Sequence, residues 1–141
     1  MNDTEKNSRI VSIEDFLSEL LAKAKYKNGR RVFPHVFVGF LPPAFKKEWD
    51  TVVLIELGAI SQHGGYASCM ATIFVLTRPV GDNLVKNSTL MDKQEYAINR
   101  LVDDNENSDS RYSIQREWAD QGYDEARQLH VNVIGISVTI K

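Results

Sequence analysis

Residues 51–78 read TVVLIELGAISQHGGYASCMATIFVLTR, and the reading of this stretch decides the fold. Two runs rich in β-branched and aromatic side chains, 51–60 and 66–78, flank Ser61-Gln62-His63-Gly64-Gly65. Such side chains fit a pleated surface, and paired glycines supply the backbone freedom of a tight turn, so the stretch is expected to form a β-hairpin. Over residues 52–57 and 70–76 the apolar positions are consecutive, which predicts strands covered on both faces. Helices can take one face. The other then needs a second sheet or a partner subunit.

Upstream, residues 32–41 read as another strand, closed by Pro42-Pro43. Pro34 cannot donate to a ladder, so this strand is expected to start late or to lie at an edge. A charged connection, 42–50, carries Trp49. Before the strand, Ile13, Phe16, Leu17, Leu20, Leu21 and Ala24 fall at helical spacing on one face. Ser12 is placed as N-cap, with Glu14 and Asp15 in the first turn, and Asn28-Gly29 as the stop. Residues 1–9 are polar and expected to be flexible.

Downstream, residues 90–102 predict a second helix, with Leu90, Met91, Ala97, Ile98, Leu101 and Val102 on its apolar side. Thr89 and Asp92 stand at the spacing of a capping box. Residues 103–109 form a hydrophilic, acidic loop. Residues 111–118 alternate, placing Tyr112, Ile114 and Trp118 on one side and Ser113, Gln115 and Glu117 on the other. In the last segment the apolar positions change parity, from Leu129, Val131 and Val133 to Ile134, Ile136, Val138 and Ile140. A strand changes its buried face only through a register break, which predicts a β-bulge near 133–135; a strand buried on both faces is the alternative. The order is helix, three strands, helix, two strands: an α+β fold with a mainly antiparallel sheet and two packing helices.

The 141 residues fit a single domain spanning 1–141, with 43% hydrophobic and 26% charged residues. A net charge of -2 argues against a dedicated nucleic-acid binder. The single cysteine, Cys69, leaves no internal disulfide and no CxxC pair for zinc. No signal peptide is read at the N-terminus, and the longest apolar run, 52–60, is broken by Glu56 and too short for a bilayer. The expectation is a soluble protein made inside the cell, with no membrane partner.

No GxSxG, Walker, GxGxxG or HExxH motif occurs. His35, His63 and His130 are separated by whole elements, which argues against a metal site; no cofactor is expected. Cys69, flanked by Ala67 and Ala71 on its face of an apolar strand, reads as an inert small hydrophobe. Glu56, a carboxylate within an apolar strand, is placed on a solvent-facing or interface-facing position, a catalytic acid being the other possibility. Charge is clustered: Lys23, Lys25, Lys27, Arg30 and Arg31 after the first helix, and Asp103, Asp104, Glu106 and Asp109 after the second.

Several stretches together resemble the tail terminator, or tail-completion, proteins of long-tailed bacteriophages. They are the amphipathic helix 13–24, the aromatic-proline entry Phe33-Pro-His-Val36, the paired strands Thr51-Val-Val-Leu-Ile-Glu-Leu57 and Ala71-Thr-Ile-Phe-Val-Leu76, the second helix 90–102, and the long closing strand 130–141. Pro42-Pro43, the 46–50 stretch and the acidic loop have no counterpart in that pattern. The resemblance implies a structural virion protein and not an enzyme. It implies a homo-oligomeric ring, usually a hexamer, which caps the tail tube, stops its growth and joins it to the head connector. Its partners would be further copies, the tail tube protein and the head connector protein. Its place would be the tail or neck of the virion, assembled in the host bacterial cytoplasm, without specific nucleic-acid binding. In a ring each subunit meets its neighbour through two different surfaces. Lys25, Lys27 and Arg30 of one copy facing Asp103, Asp104 and Asp109 of the next would be complementary, and Ile134 and Ile136 are candidates for a core or inter-subunit contact. A small α+β enzyme or ligand-binding domain using Glu56 and a histidine is the alternative.

Overall fold

A computed structural model of the chain describes residues 3–24, 33, 35–43, 45–81, 85–106 and 111–140. Two helices and five strands follow in the order α1 (Asp3–Ala22), β1 (Val36–Val38), β2 (Thr51–His63), β3 (Tyr66–Thr77), α2 (Ser88–Glu106), β4 (Tyr112–Asp124) and β5 (Leu129–Ile140). The strands form one sheet in the order β1-β2-β3-β5-β4. β1 runs parallel to β2, and every other pairing is antiparallel. The α+β class and the order of elements are those read from the sequence.

Both helices lie on one face of the sheet. Ile13, Leu17 and Leu21 from α1, Ala24 just beyond it, and Ile98 and Val102 from α2 pack against Val53, Ile55, Ala71, Ile73, Val75, Ile134, Ile136 and Val138. These strand positions alternate along each chain, so they share one pleat face. α2 is also fixed through polar groups. Gln94, fully buried, accepts from the Thr77 hydroxyl at 3.1 Å and donates to Thr51 Oγ1 at 2.8 Å. Asn132 donates to the Met91 carbonyl at 3.2 Å. Buried polar groups paired in this way hold one register of helix on sheet, because any slip leaves them unsatisfied.

Among the described residues the second face is covered at one end only. Leu76, Leu129 and Val131 are buried there under Leu41 and Phe45, with Phe74 and Val133 alongside. The covering segment, residues 41–43 and 45–50, is pinned by Arg78, whose guanidinium donates to the carbonyls of Trp49 at 2.6 Å and Lys46 at 3.0 Å. Trp49 in turn stacks on His35 and leans on Phe37 and Phe45. The expected cover over the second face is thus partly intramolecular: a strap of the chain itself takes the place of a second sheet.

Several local expectations are corrected. α1 begins at Asp3, so Ser12 is not a cap; it lies within the helix and hydrogen-bonds the Tyr112 hydroxyl. The expected stop at Asn28-Gly29 falls outside the described residues. α2 begins at Ser88 with Asn87 as its cap, the Asn87 side chain accepting from the Leu90 amide at 3.3 Å, in place of the Thr89–Asp92 box. Asp103 and Asp104 belong to the last turn of α2 and not to a loop. β1 is only three residues long; it starts beyond Pro34 and also lies at the edge of the sheet, so both of the alternatives offered for the proline hold. β5 carries no bulge. It pairs with β3 without interruption from His130 to Ile140 and is buried on both faces in its first half, the alternative reading of its changing parity. The bulges are in its neighbours, between Leu57 and Ile60 in β2 and between Arg116 and Trp118 in β4.

Candidate functional site

Beyond the strap the second face is open. Cross-strand register defines its rows: Glu56, Thr72, Gly135 and Trp118 form one, Met70, Ser137 and Gln115 the next, and Ser61, Ser68, Thr139 and Ser113 a third. With strands spaced ~4.8 Å apart, the four-residue rows span roughly 15 Å and the three-residue row roughly 10 Å. Hydroxyl groups dominate it, and Trp118 and Met70, each 45% exposed, are its large apolar side chains.

The bulge in β4 builds the centre of this face. Simple alternation separates Glu117 from Trp118, but the extra residue at the bulge brings both to the same side. Arg116, just before it, points to the helices and donates to Asn99 at 2.8 Å, with Glu95 at 3.5 Å. The Trp118 indole lies across Gly135, where a Cβ would clash with the ring. Glu117 reaches over β5 and accepts from the Ser137 hydroxyl at 2.8 Å. The expected grouping of Trp118 with Tyr112 and Ile114 is therefore corrected: those two join the helix-side core and Trp118 faces away from it. Gly135 was the sequence signal for this contact, since a glycine inside an apolar strand marks a close approach.

Among the described residues the sheet also has two open edges. No described strand pairs with the outer edge of β4 along its 13 residues. On the opposite side β1 covers β2 only from Val53 to Ile55, leaving residues 56–63 without a described strand partner.

The predicted site residues are dispersed. Glu56 is exposed, and no hydrogen bond or ion pair among the described residues involves it. His35 stacks on Trp49 at 4.6 Å, His63 meets Ser68 at 3.0 Å and stacks on Tyr66, and His130 packs against Tyr123. The His63–Ser68 pair sits on an exposed hairpin, and no described carboxylate contacts the imidazole. Among the described residues no group of three metal-ligating side chains converges. Cys69 is buried, and burial pushes its thiol up from the ordinary range, as an inert position requires. Ile134 and Ile136 are 1% exposed beneath the helices. They are core, with no surface left for a neighbouring copy. Asp103 and Asp104 are exposed; Lys25, Lys27, Arg30 and Asp109 lie outside the described residues. A groove of about 310 Å³ between α2 and β4, lined by Glu95, Ala119, Asp120, Gln121, Asn132 and Ile134, was not foreseen. Among the described residues no helix is long and apolar enough to cross a membrane. No protein-family model matches this chain, and no curated protein matches its sequence.

Proposed function

We propose that this protein is a structural virion component that forms a ring of identical subunits, caps the tail tube and joins it to the head connector. The observation supporting this reading is the pair of open edges on opposite sides of one sheet. β5 runs parallel to β2, and β4 runs antiparallel to both. A neighbouring copy related by rotation about an axis along the strands therefore sets its β2 against β4 in the antiparallel sense. That is the sense of most pairings within the sheet itself. Unpaired ladder groups are a template for another chain, and a heterologous junction repeated by rotation closes into a ring. Nothing catalytic is required: stopping a polymer needs different upper and lower surfaces on the ring. The further copies, the tail tube protein and the head connector protein are the partners in this account, with assembly in the host bacterial cytoplasm.

The test is to add the purified protein to polymerising tail tube protein of the same virus and measure tube lengths by electron microscopy. Shortened tubes ending in a ring support the reading. An unchanged length distribution with bare tube ends contradicts it.

A further inference from the structure

We infer that the Trp118–Glu117 pair on the open sheet face is a recognition site for an arginine or lysine side chain of a partner protein segment. This goes beyond the ring reading and holds whether or not rings form. Three features of the chain converge on it. The β4 bulge turns two successive residues to one face, Gly135 leaves the space that the indole occupies, and Ser137 holds the Glu117 carboxylate over the neighbouring strand. Bulges re-aim side chains in this way beside functional sites. An exposed indole face attracts cations through its quadrupole, and a carboxylate fixed beside it adds a charge-assisted hydrogen bond.

The surroundings select the sign of the ligand. Glu56 lies in the same cross-strand row as Trp118, Met70 lies in the next, and no strand position in the three open rows carries a lysine or arginine. The charges on this part of the face are therefore negative. It repels nucleic-acid phosphate and anionic lipid, and a second copy's identical face. A guanidinium suits it best, stacking on the indole while its N–H groups reach a carboxylate.

The experiment uses the full chain labelled with nitrogen-15, whose two tryptophans give two separate indole N–H resonances. The probe is the blocked peptide acetyl-Ala-Arg-Ala-Arg-Ala-amide, and the control replaces each arginine by citrulline, which keeps the shape and removes the charge. The expected result is a saturable shift of the Trp118 resonance while that of Trp49 stays in place. Affinity should fall at least tenfold with the citrulline peptide and at least tenfold in Glu117→Gln, whose thermal melt should match the wild type. Equal shifts from both peptides, no shift of Trp118, or undiminished binding by Glu117→Gln would overturn the inference.

Discussion

The indole of Trp118 lies over Gly135 on the neighbouring strand, in the space that a β-carbon at residue 135 would fill. The glycine and the tryptophan are complementary, and neither residue alone explains the other. Gly135→Ala forces the indole off the sheet, an overpacking that should cost about 1–3 kcal/mol. The expected outcome is a lower melting temperature together with a changed Trp118 environment in fluorescence. A variant with wild-type stability and an unchanged spectrum would show that the indole is not seated there.

Gln94 joins α2 to the paired residues Thr51 and Thr77. Gln94→Leu keeps most of the volume but leaves both hydroxyls without their partner, which should destabilise the fold by about 1–3 kcal/mol. Denaturant midpoints measure this directly, with the slope unchanged. Replacing both threonines by valine in the Gln94→Leu background should recover much of the loss, because all partners are then apolar.

Arg78 anchors the strap by donating to two of its carbonyls. Arg78→Met removes both bonds and should cost about 1–3 kcal/mol, given that the guanidinium is only partly buried. Amide hydrogen exchange should accelerate across residues 40–50 before any change in the helix-side core. Uniform acceleration throughout the chain would indicate that strap and core open as one unit.

Cys69 offers a check on the core through pH. Its folded thiol is held above the ordinary range by burial, so on raising the pH the unfolded chain loses its proton first. The native state then binds more protons than the unfolded state. The stability associated with this group is present below the unfolded thiol's range and is lost as pH rises towards the folded value. A thiol reagent at mildly alkaline pH should react at the rate at which the protein opens, and rapid labelling of native protein would contradict the burial.

The helices were legible in the sequence because their signal is periodic, as with Ile13, Leu17 and Leu21 on α1, and the central hairpin because two continuous apolar runs flank Gly64-Gly65. Helix boundaries were not, since Asn87 competes as a cap with the nearby Thr89, and Ser12 is equally suited to a cap and to a bond with a distant tyrosine. The parity change in β5 was visible, but its cause was not. Continuous burial on two faces looks the same in sequence as a bulge, and only the strap over Leu129 and Val131 distinguishes them. The open face was hidden for the same reason in reverse. Glu117 and Trp118 share a side only because β4, and not β5, carries the extra residue.

Native mass spectrometry of the full chain tests the central claim most directly, because the proposed function requires the copies to close into a ring. The account predicts a single closed species, six times the 16.0 kDa chain mass for a hexamer, that persists on dilution. A monomer at every concentration, or a two-fold dimer that grows no further, would contradict it.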